Sequence, residues 1–396
     1  MNRRATGILV LLLGGLAAPV LAAERRVEVA DDGALVRAIR AAQPGWRIAI
    51  APGKYRPGVY ASNLRGTAEA PIIIEGADPK DKPLFEGGAE ALHFSDCVYL
   101  TLRNIAVRRQ SSNGINIDDG GTFDTPAHHI TLEKIDVAEI GPKGNHDGIK
   151  LSGADDLVVR GCTFDGWGGQ AIDMVGCHRG LIEACTFRGK AGFNQDTGPQ
   201  AKGGSSQIVI RDCTFANAAQ RGVNIGGSTS LRVFRPQGAK YEAKDITVEG
   251  CRFVGGQAPV AFVGVDGAVV RYNTIYHPDK WVLRILQETT EPGFVACRNG
   301  RFERNLIVFR RDRLQTAVNI GPHTDPGSFV FRENFWYCDD QPARSRPDLP
   351  TREEGGLYGV DPKLAISGDG VPAAPVAEAA RAFGADAEAA KNEMRR

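Results

Sequence analysis

A short run containing Lys202, Gln200-Ala-Lys-Gly-Gly204, has counterparts along much of the chain. These are Gly114-Ile-Asn-Ile-Asp118, Gly148-Ile-Lys-Leu-Ser152, Ala171-Ile-Asp-Met-Val175, Gly222-Val-Asn-Ile-Gly226, Val260-Ala-Phe-Val-Gly264, Val282-Leu-Arg-Ile-Leu286 and Ala317-Val-Asn-Ile-Gly321. If the second and fourth residues of each run point inward, the middle ones form an outward column: Asn116, Lys150, Asp173, Lys202, Asn224, Phe262, Arg284 and Asn319. An amine set among amides and further cations can hold an anionic chain, and it can take a proton from carbon when neighbouring positive charge lowers its pKa. Lys202 is therefore the candidate base, with Arg221 and His146 as acid or charge-neutralising partners at the rim. Asn116, Lys150, Asn224 and Arg284, with Arg232 and Arg235 from a nearby basic loop, are candidate ligands for the chain. Asp147 and Asp173 are candidate metal ligands. The same column also reads as a charge-alternating ladder on a solvated sheet, worth roughly 0.2 to 1 kcal/mol per pair.

The elements that must position these residues are legible as a repeat. Nine copies of a second unit run from Leu102-Arg-Asn-Ile105-Ala-Val107 to Phe331-Arg-Glu-Asn334-Phe-Trp336, with starts 22 (248 to 270) to 38 (210 to 248) residues apart. That is the spacing of solenoid coils. The first, fourth and sixth positions face inward, and the fourth carries Cys162, Cys185, Cys213 and Cys251, then Asn273, Asn305 and Asn334. Stacked parallel strands place equivalent side chains about 4.8 Å apart, so amides in such a column bond one another. The reading is an all-β, right-handed parallel β-helix solenoid over residues 24–340, with a loop and tail at 341–396. Asp31 to Ala42 is a capping helix begun by an Asp cap. The longest coil carries a basic insertion, Ser230 to Asp245.

Residues 1–23 read as a secretory leader: Arg3 and Arg4, an apolar run from Ile8 to Leu16, and small residues to Ala23. That implies a periplasmic or secreted address, with no membrane span and a monomer as the simplest state. The net charge of +1 gives no electrostatic support for a nucleic-acid partner. Of eight Cys, four belong to the inward column and none forms a CxxC pair, so they read as small apolar residues rather than a zinc site.

Two segments, Ala41-Ala-Gln-Pro-Gly-Trp-Arg-Ile-Ala-Ile-Ala-Pro-Gly-Lys-Tyr55 and Gly66-Thr-Ala-Glu-Ala-Pro-Ile-Ile-Ile-Glu-Gly76, resemble the opening of β-helical polysaccharide lyases of the alginate lyase and chondroitinase B group. The coil from Gln200 to Phe215 resembles the rung that bears that group's catalytic Lys. The resemblance implies β-elimination on a uronate-containing anionic polysaccharide, Lys202 as base, and Ca²⁺ as a possible cofactor. The group's Arg falls one rung later, where this chain has Asn224, with Arg221 three residues earlier. Three other functions fit the same column. A uronate C5-epimerase would need a second acid such as His146 or Arg284; a hydrolase would use Asp147 and Asp173 as a carboxyl pair; a non-catalytic protein would only bind glycan.

Overall fold

The repeating unit turns a corner at its third residue. In a computed structural model of the chain, which describes residues 24–368 and 370–387, the nine third-position residues have φ between 50 and 63°. They are Asn104, Lys134, Gly161, Ala184, Asp212, Gly250, Tyr272, Arg304 and Glu333. One left-handed residue resets the alternation of side chains. This is why inward positions fall at one, four and six: the unit is two short strands meeting at a bend, as in Val98–Arg103 and Ala106–Arg108. A third strand, here Ile115–Asp118, completes the coil. Repetition produces three parallel sheets: a first and a second of 12 strands each, and a third of 10. The predicted leader lies outside the described residues.

Coils stack like on like. Leu132 pairs with Leu102 on one side and Val159 on the other. Phe164, Phe187, Phe215 and Phe253 form an inner column of nearly parallel rings with centroids 4.8, 4.7 and 4.5 Å apart. The four Cys of the inward column are buried free thiols, as are the other four. Below them the Asn column forms the expected ladder: Asn273 Nδ2 donates to Asn305 Oδ1 at 3.0 Å, and Asn305 Nδ2 to Asn334 Oδ1 at 3.0 Å. The ladder ends on a carboxylate, with Asn334 Nδ2 donating to Glu353 Oε1 at 2.8 Å.

At the amino end, helix Asp32–Arg40 is capped by Asp31, whose side chain accepts from the Ala34 N–H at 2.7 Å. Leu35, Ala38 and Ile39 are its buried face, and it packs against the strands Arg25–Val29 and Trp46–Ile50. The described part of the carboxyl tail lies along the second sheet. Pro372–Pro375 pairs antiparallel with Leu364–Ile366, Phe383 packs with Leu306 and Phe335, and Asp386 binds Arg252 at 2.6 Å. No helix among the described residues is long and apolar enough to cross a membrane.

The basic insertion follows strand Arg221–Gly226 and folds back over earlier coils. Glu242 is fully buried beneath it and accepts four bonds: from Gly203 N, Thr229 N, Thr229 Oγ1 and Thr289 Oγ1, at 2.8, 2.9, 2.8 and 2.6 Å. Arg235 grips Asp155 through both guanidinium nitrogens, at 2.6 and 2.7 Å, and the Gly176 carbonyl at 3.0 Å. The contact is close enough that a Cβ at Gly204 would lie 2.4 Å from the Arg235 carbonyl oxygen, and φ there is +87°. Burial alone would raise the Asp155 pKa, but Arg235 outweighs it and holds the carboxyl below its ordinary value.

Two outcomes follow from these contacts. Asn305→Ala leaves the Asn273 backbone N–H and amide without their shared acceptor, and should cost about 2 to 4 kcal/mol, read as a fall in Tm by circular dichroism. Cys213→Ala, which removes only a weak donor and little volume, should lower Tm far less. Arg235→Ala should free the insertion, at a cost of about 1.5 to 3 kcal/mol because Arg179 still reaches Asp155. Limited proteolysis within 228–242 reports that release. Since the folded-state pKa of Asp155 is depressed, this contribution is complete above the unfolded value of about 3.9 and is lost as pH falls through the lower folded value. Nicking of the wild-type insertion should thus rise only in strong acid; nicking that already rises near neutrality would contradict the assignment.

Candidate functional site

The third sheet supplies the site because its strands pair in strict register. Tyr60, His93, Asn116, Lys150 and Asp173 occupy successive equivalent positions, followed by Gln200, Asn224, Ala261, Arg284 and Asn319. This corrects the predicted column at two coils. Lys202 pairs with Val175 and stands two residues further along its strand, still on the outer face. Phe262 points inward and is fully buried, with Ala261 in the outward place. The physical reason is the same in both: Gly198-Pro-Gln-Ala-Lys202 has only Pro199 and Ala201 inward, and Ala258–Val263 is apolar on both faces, so neither run shows an alternation that fixes its phase.

The two-residue offset brings the Lys202 amine back across one strand. Its Nζ lies 3.0 Å from Asp173 Oδ1, although off the line a hydrogen bond needs. Lys150 Nζ bonds Asp173 Oδ2 at 2.8 Å and Asp147 Oδ2 at 3.2 Å. Both carboxylates are fully buried, and Asp147 Oδ1 also accepts from the Gln170 N–H at 3.0 Å. Charges thus alternate as Asp147, Lys150, Asp173, Lys202. Burial opposes the charge on Lys150, but Asp173 and Asp147 outweigh it and hold its pKa above that of an ordinary lysine. Burial, helped by the neighbouring Asp173 charge, raises the Asp147 pKa.

With Asp147 outside the lining and bonded to Lys150, the residues Lys150, Asp173 and Lys202 form the floor of a cleft of about 750 Å³. Its open side carries Tyr60, His93 and Asp118; the loop after Asp118 contributes Phe123, and the insertion contributes Ser228 to Ser230, Val233 and Arg235. His93 Nε2 lies 2.6 Å from Asp118 Oδ2, its Nδ1 lies 3.3 Å from Glu90 Oε2, and the Tyr60 ring stands edge-on to it at 5.2 Å. Burial raises the Asp118 pKa, yet bonds from Ser95 and His93 bring it below the ordinary value. Tyr60 and His93 escaped the sequence reading. Their runs, Gly58-Val-Tyr-Ala-Ser62 and Ala91-Leu-His-Phe-Ser95, do carry the same apolar alternation, two coils and one coil before Asn116.

The structure gathers Lys202, Lys150, Asp173 and Arg235 in the cleft, keeps Asp147 next to it through Lys150, and leaves the other predicted residues outside. Asn116 bonds Glu90 at 3.4 Å. His146 lies in the turn before Asp147, packed over Gly141, with Nδ1 buried and unpartnered. Arg221 bonds Asn224 at 3.2 Å and Glu288 at 2.8 Å. Arg284 bonds Asn319 at 2.9 Å and lies 4.3 Å above the Trp281 ring; burial, then Arg221, lowers its pKa. Arg232 is exposed on the insertion, while Arg235 is committed to Asp155. A Ca²⁺ ion takes six to eight oxygen ligands. Asp147 and Asp173 already share an ammonium, and among the described residues no group of three or more His, Cys, Asp or Glu is placed to hold a metal ion, so this donor set fits an amine and not Ca²⁺.

Comparison with known proteins agrees with the architecture. Residues 90–275 match the family model described as the right handed beta helix region. No protein of curated function matches the chain in sequence. Among solved structures, the alginate lyase from Paenibacillus sp. str. FPU-7 superposes with a TM-score of 0.52 at 17% identity, over 76% of this chain and 100% of that one. Pectate lyase Pel9A gives 0.51 at 15% identity, over 78% of this chain and 80% of that one. The GH136 lacto-N-biosidase from Eubacterium ramulus gives 0.52 at 14% identity, over 78% of this chain and 67% of that one. At such identities the likeness is one of fold. The chain is thus a right-handed parallel β-helix, the fold of the polysaccharide lyases it resembles.

Proposed function

We propose that the chain is an exported polysaccharide lyase that cleaves a uronate-containing anionic polysaccharide by β-elimination, with Lys202 as the base. The observation that carries this reading is the run Lys150, Asp173, Lys202 on the floor of the cleft, with Asp147 as the second carboxylate on Lys150. A uronate C5 proton is weakly acidic, and its removal delivers negative charge to the adjacent carboxylate. Lys150, held as an ammonium by two carboxylates, supplies fixed positive charge there and is unsuited to accept a proton. Lys202 is the amine left for transfer. Asp173 divides its charge between the two amines, and the unaligned Lys202 contact leaves that nitrogen free to turn toward the cleft. In its neutral form Lys202 takes the C5 proton, the C–H electron pair becomes the C4–C5 double bond, and the C4–O4 bond breaks. The same ammonium then returns the proton to the leaving oxygen.

Hydrolysis fits the site less well. It needs two carboxyl groups facing the bond from either side. Asp147 and Asp173 are fully buried and joined through Lys150. An epimerase would share the proton abstraction but leave the chain uncut, so the product decides between them. A secreted or periplasmic address suits a polymeric substrate.

Incubation with uronate polysaccharides, followed by absorbance of the unsaturated product, tests the reading. Lys202→Ala should lower turnover by about 10²- to 10⁴-fold while glycan binding persists; unchanged turnover removes Lys202 from the mechanism. Asp173→Asn should lower turnover as well, because both amines lose their anchor. Added chelator should leave the rate unchanged, and a rate that collapses on chelation and returns with Ca²⁺ would falsify the metal-free account.

A further inference from the structure

The outward column of the third sheet does not stay open along its length. Tyr60 is 53% exposed, and His93, Asn116 and Lys150 are partly exposed. From Asp173 to Ala261 the same column is covered, with Asp173 0% exposed, Gln200 5%, Asn224 1% and Ala261 0%, and it is partly exposed again only at Arg284 and Asn319. The cover comes from the sheet's own side chains. Arg221 touches Asn224 on one strand and Glu288 beyond the strand Trp281–Leu286, so its guanidinium crosses over Ala258–Val263, the strand between them. Beside it the insertion begins against Lys202, where a Cβ at Gly227 would lie 3.4 Å from the Lys202 Cδ and 2.3 Å from the Gln200 amide nitrogen. The cleft accordingly takes its lining from Tyr60, His93, Lys150, Asp173 and Lys202, and from none of the later strands' outward residues.

We infer that the cleft is blind at Lys202, closed by the Arg221–Glu288 bar and the start of the insertion, and that it receives a polysaccharide by its end. From Tyr60 to Lys202 there are five strand steps, about 24 Å, or about one sugar residue per step. A chain enters past Tyr60, and its terminal residues lie against Lys150 and Lys202. Residues beyond the reacting bond have no room to continue along the sheet. Combined with the lyase reading, on which this inference rests, the geometry makes the enzyme exolytic: each event removes a short piece from a chain end.

The two readings are separable by experiment. Full-length Lys202→Ala, which binds without turnover under the lyase reading, is titrated with alginate and with pectate, each cut to a series of mean lengths at one mass concentration. Halving the mean length doubles the number of ends, and bound protein at low saturation should about double with it. Binding that follows polymer mass whatever the length overturns the blind end, and leaves the lyase reading intact if the wild type still forms unsaturated product. Absence of binding to either polymer at every length also overturns this inference. With the wild type, unsaturated product should accumulate while solution viscosity barely falls; an early, steep viscosity loss means internal cutting and defeats the proposal. Replacing the bar by Arg221→Ala with Glu288→Ala should raise the viscosity lost per double bond formed. Should that variant not fold, the length series still decides.

Discussion

Each coil of this molecule can bury its apolar side chains only by meeting the next coil in parallel register. That pairing repeats every 4.8 Å or so and leaves no freedom to slide, because a slip of one residue would turn every inward side chain out. Inside, the constraint is met by stacking like on like, as in the Phe column and the Asn ladder. Outside, it has the opposite consequence. Like charges at one register position would sit within a few ångströms of each other, so a charged stripe must alternate in sign. Asp173 between Lys150 and Lys202 is that requirement met at a fully buried carboxylate.

Burying a carboxylate costs several kcal/mol unless partners compensate. The fold solves this twice, in different ways. Glu242 under the insertion is surrounded by four neutral donors, which fix its loop and carry no net charge of their own. Asp173 is instead compensated by two amines, one held in aligned bonds and one loosely. The first arrangement is rigid scaffolding; the second leaves one nitrogen uncommitted. The Arg235–Asp155 grip then lays the scaffolded loop beside that nitrogen, so the wall of the cleft and its charged floor come from residues far apart in the chain.

How much of this was legible in the sequence depended on whether alternation was visible. The coils, the Asn ladder, the capped helix and the outward column from Asn116 to Asp173 all rest on runs in which apolar and polar residues alternate or recur at fixed offsets. Where alternation vanished, phase was lost: Pro199 and Ala201 gave no signal for the strand ending at Lys202, and Ala258–Val263 is apolar throughout. The corner at the third residue was also hidden, since Lys134, Ala184 and Tyr272 adopt φ values above 50° that their types do not announce. Arg221 was placed by proximity in sequence to Asn224, and only the three-dimensional reach to Glu288 shows that it lies across the stripe. The tail offered no periodicity, because its position is set by contacts such as Asp386 with Arg252, far away in the chain.

The same fold serves two lyases and a biosidase among the structures it resembles, so the solenoid by itself says little about chemistry. What separates the possibilities here is Lys150. Two buried carboxyl groups on neighbouring coils, with no cation between them, would share a proton and behave as an acid pair. The raised pKa of Asp147 shows that tendency, with burial and the Asp173 charge as its causes. The ammonium of Lys150 bonds both carboxyl groups, at 2.8 and 3.2 Å, while the Lys202 amine meets Asp173 at 3.0 Å on the floor of the cleft. Under the proposed reading, the residue that favours proton abstraction over hydrolysis is Lys150, which its two carboxylate partners hold as an ammonium.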